Sequence, residues 1–278
     1  MCKFDLTLET FIAYGLFLLI GLILGLIGGG GSILSVPVLV YLFHYPAEIA
    51  TGYSLFIVGL TSLVGGFAFI KRGDISFESL LQFAVPSLIT VFLVRKYLIP
   101  SLPEVFFTVG GLTVTKQIFI MVLFAILIVF SSYSMIKKQK PNYRNEAMWD
   151  EFSRSPLRIY FVILLAIFVG FLTGFVGAGG GFIIVPVLLF FIRVPFKKAI
   201  GTSLCIIAIN SLVGFTGNLG HLDINWNVLG ITSSICVAGI LLGNIISVKI
   251  SANKLKPAFG WFTLIVGIFV IVKELFLL

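Results

Sequence analysis

Charge is scarce in this chain: only 11% of its 278 residues are charged, and Asp and Glu together number 11. Water-facing globular domains carry about 25% charged residues, so a soluble fold is excluded. The acids Glu48, Asp74, Glu78 and Asp223 lie at the ends of apolar runs rather than near their centres. A cation carrier or a carboxylate proton relay would want an acid inside. Histidine is limited to His44 and His221, both at loop edges, and cysteine to Cys2, Cys205 and Cys236, which form no CxxC. Neither a metal cluster nor a nucleophile–base pair can be assembled from these, so no metal, no cofactor and no enzymatic role are expected. The cysteines read as isolated packing thiols; an intramembrane thiol enzyme or sensor using Cys205 or Cys236 is the remote alternative. No G-x-x-x-x-G-K is present to cradle a nucleotide. The opening "MCKFDLTLET" has neither a basic leader nor a small-residue cleavage site, and no removed signal peptide is expected.

What is abundant is hydrocarbon. Hydrophobic residues make up 59% of the chain, including 29 phenylalanines. Runs of about 20 apolar residues, enough for one bilayer crossing, recur from end to end. The chain reads as an all-α polytopic membrane protein. Its net charge of +8 sits in short loops, where basic residues set membrane orientation rather than bind nucleic acid.

The chain is also a duplication. A shift of 149 residues lays 25–76 on 174–225 without a gap, and 20 of the 52 aligned positions are identical. "GLIGGGGSILSVPVL" at 25–39 falls on "GFVGAGGGFIIVPVL" at 174–188. Each half divides into five apolar segments, at about 11–27, 33–44, 50–70, 78–98 and 117–136, then about 157–176, 182–192, 199–219, 227–248 and 257–276. The domain division is therefore a first repeat over 1–136, a polar linker over 137–156, and a second repeat over 157–278.

The segments at 33–44 and 182–192 are too short to span alone. Either each glycine run turns a hairpin whose arms share one side, or it kinks a single long span. Hairpins place 14 of the basic residues on one face and 5 on the other; kinked spans divide them 10 to 9. Positive residues gather on the cytoplasmic side, which favours hairpins, with both termini outside and the linker cytoplasmic. Five segments per half is odd, so the halves are expected to be inverted relative to one another, as in many secondary transporters.

Irregular backbone at membrane depth is tolerated only where protein buries it or a polar cavity adjoins it. The chain leaves each glycine run directly into a short helix, whose first N–H groups lack internal partners and carry partial positive charge. Glycine allows close approach and a concave nest of amides, which binds anions. Two such nests meeting near the midplane are expected to share one anion. Close helix packing through small residues is the alternative reading of the same glycines. The third segments add polar side chains at matched positions: Ser54 and Ser203, then Thr61/Ser62 and Asn210/Ser211 about two turns on. A spacing of seven or eight puts them on one helical face, either to donate to an oxyanion or to bond between helices. An inside-negative potential favours anion exit by about 2.3 kcal/mol per charge per 100 mV, so export is the expected direction.

The paired glycine stretches, each followed within a few residues by Pro37 or Pro186, resemble the sulfite exporter TauE/SafE family of anion permeases. So do "AIGTS" at 199–203 and the closing "KLKPAFGWFTLIVGIFVIVK". The resemblance implies a multi-pass inner-membrane carrier of sulfite, sulfonates or related sulfur oxyanions, with import of thiosulfate or a sulfonate as the alternative. A homodimer stays open. The implied binding elements are Gly28, Gly29, Gly30 and Gly31 with Ser32; Gly177, Ala178, Gly179, Gly180 and Gly181; and Gly201-Thr202-Ser203 with its counterpart Gly52-Tyr53-Ser54. Thr61 and Asn210 complete the expected set. Tyr53 departs from Thr202 at the matched place, and "LVRKYLIP" ends the fourth segment where the family tends to use small residues. Arg95, aligned with Asn244, is expected to snorkel to the headgroups, with anion attraction at the outer mouth as the other reading.

Overall fold

A computed structural model describes residues 8–109, 112–136, 157–220, 224–247 and 252–276. The 137–156 linker, His221, Asp223 and Cys2 lie outside the described residues. Helix α1 spans Leu8–Ile27. A 3₁₀ turn, Gly30–Leu34, leads into the short α2, Ser35–Tyr41. Helix α3 is Ala47–Arg72 and α4 is Phe77–Leu93, prolonged by a π-turn at Val94–Leu98 and a last turn at Ile99–Ser101. A hairpin of β1 (Val105–Val109) and β2 (Leu112–Thr115) precedes α5, Lys116–Ile136. The second half holds α6 (Leu157–Val176), α7 (Gly181–Phe190), α8 (Phe196–Thr216), α9 (Trp226–Ile246) and α10 (Ala252–Phe276). Among the described residues, seven helices are long and apolar enough to cross a membrane.

Helix bounds follow the chain's own punctuation. Pro46 and Pro195 precede α3 and α8 in extended conformation, because proline restrains its φ and lacks the N–H. Gly73 ends α3 in the left-handed region, its N–H bonded back to the carbonyl of Ile70, as a glycine stop does. The antiparallel β1–β2 hairpin occupies a stretch between the fourth and fifth apolar segments of the first half. The alternation "VFFTV" and "LTVT" around a Gly-Gly dipeptide was its signal.

Both glycine runs reverse the chain. His44, just past α2, lies 3.6 Å from Glu9 at the start of α1, and the rings of Tyr14 and Phe43 meet edge to face at 6.0 Å. The polypeptide thus returns to the side from which α1 set out. In the same way Lys197, past α7, reaches Asp74 of the α3–α4 turn at 3.1 Å. A kinked single span would put each of these pairs on opposite faces.

Helix pairing respects the duplication. α1 packs on α9 and α6 on α4; α3 packs on α9 and α8 on α4; α3 and α8 pair with each other, as do α5 and α10. Exchanging the halves leaves this scheme unchanged. The α1–α9 crossing is built on small residues: a methyl group added at Gly25 or Gly243 would strike the opposing backbone, at Ile240 and Leu22 respectively. That is the close approach which small-xxx-small spacing permits. α3 and α8 are the most enclosed spans, with 61% and 78% of their apolar windows buried against 39–44% for the other five. They carry the matched polar residues, so those positions face protein rather than lipid.

Candidate functional site

At the first break, Gly28 takes φ +80° and its carbonyl accepts from Ser203 Oγ at 2.5 Å. Ser203 belongs to the other repeat, so the bond ties the first hairpin to α8. Ser32 Oγ donates to the carbonyl of Gly29 at 2.8 Å. Ser35 Oγ shares a 2.6 Å hydrogen bond with Ser54 Oγ of α3. Gly31 packs on α1 at Ile20 and Leu24. The polar side chains here are spent on the fold, and the helix that follows has only seven residues.

The second break is built differently. Gly177, Gly179 and Gly180 all take φ near +70° (71°, 68° and 70°), a conformation that side chains other than glycine rarely adopt. The ten-residue α7 then begins at Gly181, with Ala178 buried beside it. Thr173 Oγ1 occupies the place a Cβ on Gly180 would take, and Ser211 Oγ lies 3.0 Å from where one on Gly179 would sit. Both hydroxyls are buried and have no hydrogen-bond partner among the described residues. Buried donors without partners are rare, because each loses its water for nothing.

The two breaks touch. A Cβ on Gly29 would lie 2.6 Å from the carbonyl oxygen of Gly181, and one on Gly181 would lie 2.5 Å from the Cα of Gly29. Backbone meets backbone at the level of Ile207, midway along α8. The contact leaves no space for an ion between those two residues, so the unpartnered hydroxyls of Thr173 and Ser211 lie to one side, against Gly180 and Gly179.

The remaining expected residues sit nearby with their bonds made. Thr202 Oγ1 accepts the N–H of Ser76, before α4, at 3.0 Å. Tyr53 Oη accepts the N–H of Asn225, before α9, at 2.6 Å. These are matched positions making matched bonds across the repeats, so the larger side chain at 53 keeps the bond made by Thr202. Thr61 Oγ1 donates to the carbonyl of Ile57 at 2.6 Å. Asn210 exchanges hydrogen bonds with Ser87 of α4, Nδ2 donating at 2.9 Å, and so points toward α4 rather than toward the breaks.

Arg95 corrects the sequence expectation. It does not snorkel: the side chain is buried, at 1% exposure. The π-turn Val94–Leu98 inserts an extra residue at that point of α4, a feature frequent at functional sites. Its guanidinium Nη2 rests against Gly177 in the space a side chain there would fill. Nη1 donates to Thr51 Oγ1 at 3.0 Å. Among the described residues two further charges are buried: Glu274 accepts from Tyr41 at 2.8 Å, beside the far end of α2, and Lys116 pairs with Glu48 at 2.8 Å. Cys205 and Cys236 are buried free thiols.

The sulfite exporter TauE/SafE family model matches residues 13–270. The chain belongs to that family. Curated relatives include a probable membrane transporter protein of Xylella fastidiosa, 31% identical over 260 residues and covering 91% of each chain. Others are a probable membrane transporter protein of Methanocaldococcus jannaschii, 26% identical with 77% of this chain and 75% of the relative covered, and the protein YunE of Bacillus subtilis, also a probable membrane transporter, 27% identical with 77% and 81% covered. No solved structure matches the chain. As a member of a TauE/SafE transporter family, this multi-pass membrane protein is built to move a solute, and the glycine breaks are where its backbone departs from helix inside the membrane.

Proposed function

We propose that this transporter is a secondary carrier of a small sulfur oxyanion, exporting sulfite or a related sulfonate by alternating access between two halves of opposite orientation. The observation that carries the reading is the second break: three left-handed glycines leading into a helix start, with Thr173 and Ser211 hydroxyls buried beside them and unpartnered. Helix-start amides and neutral hydroxyls together make an oxyanion site. The Gly29–Gly181 contact supports the alternating-access part, since two hairpins meeting through bare backbone can slide or part with few side chains to repack. The remaining expected residues, from Gly28 to Ser32 and at Tyr53, Ser54, Thr61, Thr202, Ser203 and Asn210, would then hold the surrounding frame.

The basic face carrying Arg72, Lys197 and Lys198 is assigned to the cytoplasm, with both termini outside, in a cell membrane whose potential drives anions outward. Flux of labelled sulfite from proteoliposomes under an imposed potential tests this. Efflux that accelerates with an inside-negative potential supports export. Uptake against that potential would favour the import of thiosulfate or a sulfonate, and no flux of any of the three would overturn the sulfur-anion reading.

A further inference from the structure

A buried arginine inside a membrane protein needs a reason. Its desolvation is costly, and a buried charge left without a partner destabilises the fold. Arg95 is buried, yet Nε and Nη2 have no hydrogen-bond partner among the described residues. Only Nη1 is used, on Thr51 Oγ1, which itself donates to the carbonyl of Glu48 at 2.9 Å.

Among the described residues charge is not balanced nearby either. The carboxylate of Glu48 is already paired with Lys116 Nζ at 2.8 Å, the lysine side chain being 6% exposed. Among the described residues one positive unit is therefore left over beside the second break. The matched position in the other half is Asn244, a neutral amide bonded weakly to the Gly65 carbonyl at 3.5 Å. The duplication has thus placed a charge on one side only.

The unused atoms matter as much as the charge. Nε and Nη2 form the edge of the guanidinium that presents two parallel N–H groups, the fork that takes two oxygens of a carboxylate, sulfonate or similar oxyanion. Thr51 holds the opposite edge and so fixes which edge is free. Gly177, at φ +71°, gives the guanidinium its place against the backbone: a Cβ there would meet Nη2 and Thr51.

We propose that Arg95 is an anion-binding residue, whose Nε–Nη2 edge takes two oxygens of the transported oxyanion at the Gly177 end of the second break. This deepens the carrier reading above and rests on it for the identity of the anion. Thr173 and Ser211 lie at the other end of the same four-residue turn, so a translocated ion passes from a charged ligand to neutral ones. A structural role for Arg95, facing the C-terminal carbonyls of α6, would need the cation but not the fork.

The test uses the purified full-length protein in nanodiscs, with thermal unfolding followed at constant ionic strength in sulfite, methanesulfonate or chloride. Wild type is expected to melt higher with rising sulfite and methanesulfonate and to respond little to chloride. Arg95→Gln is expected to weaken the apparent oxyanion affinity at least tenfold. Arg95→Lys, which keeps the cation and loses the fork, should weaken it severalfold and erode the preference over chloride. If Arg95→Gln does not fold, Thr51→Val serves: it releases Nη1 and should weaken oxyanion affinity severalfold in a folded protein.

Unchanged affinity in whichever of these variants folds would overturn the assignment, as would a wild type that none of the anions stabilises. The outcome is separable from the flux experiment. Arg95-dependent stabilisation by methanesulfonate without sulfite efflux leaves this site standing while the export reading falls. Sulfite efflux that survives in Arg95→Gln does the reverse.

Discussion

Gly29 and Gly181, 152 residues apart, meet with no side chain between them. Each is the point where one hairpin's backbone enters the centre of the molecule, and each occupies the space into which the other's Cβ would project. A methyl group at either must push the hairpins apart, and overpacking of this kind costs about 1–3 kcal/mol. Gly29→Ala and Gly181→Ala are expected to lower the melting temperature and to slow transport together. Gly15→Ala and Gly230→Ala, where a Cβ would meet nothing within 4 Å, should be neutral or slightly stabilising. Equal melting temperatures for all four variants would show that the two hairpins do not touch in the membrane.

Thr173 and Ser211 allow stability and function to be separated. An unpartnered buried hydroxyl is a cost to the fold of about 1–3 kcal/mol, and removing it isosterically removes that cost. Thr173→Val and Ser211→Ala should therefore hold or raise the melting temperature in anion-free buffer. If the hydroxyls donate to the transported anion, the same variants should raise the KM for sulfite severalfold. A lower melting temperature with unchanged KM would mean that they serve packing instead.

The helices were legible because apolar run length and proline–glycine punctuation are local signals; segments read at 157–176 and 117–136 differ from α6 and α5 by a residue at most. The hairpins were legible because basic residues sort by side, and Glu9–His44 and Asp74–Lys197 pair as that sorting requires. The chemistry of the second break was not. Arg95 stands in "LVRKYLIP", which reads as the interfacial end of a span, and only the local π-turn carries its side chain inward. Thr173 hides in a run of apolar residues. Its alignment with Leu24 of the first copy was the available clue, since a hydroxyl on one side of a duplication marks where the two halves have diverged.

Asn210 is the polar residue whose placement differs most from what its position on α8 suggests. It is engaged with Ser87, whose own hydroxyl also donates to the carbonyl of Phe83 at 2.7 Å. Replacing Asn210 by Leu leaves Ser87 satisfied and removes one interhelical bond, worth about 0.6 kcal/mol in membrane proteins. Asn210→Leu is thus expected to melt slightly lower with an unchanged KM for sulfite. A raised KM with an unchanged melting temperature would return Asn210 to the binding site.

The orientation can be read with single cysteines, and the protein's own thiols make that background accessible. Cys205 and Cys236 are both buried, and Cys236 Sγ donates to the carbonyl of Phe17 at 3.1 Å. A carrier built on amides and hydroxyls has no use for thiol chemistry, so replacing Cys2, Cys205 and Cys236 together should preserve transport; its loss would revive a thiol-based function. In that background, cysteines at Glu9 and His44 should react with an impermeant maleimide added outside intact cells, because the first hairpin returns to its starting side. Cysteines at Lys197 and Asn145 should react only after the cytoplasmic face is opened. Reactivity of His44→Cys and Lys197→Cys from the same side would break the hairpin topology, and with it the meeting of the two glycine turns.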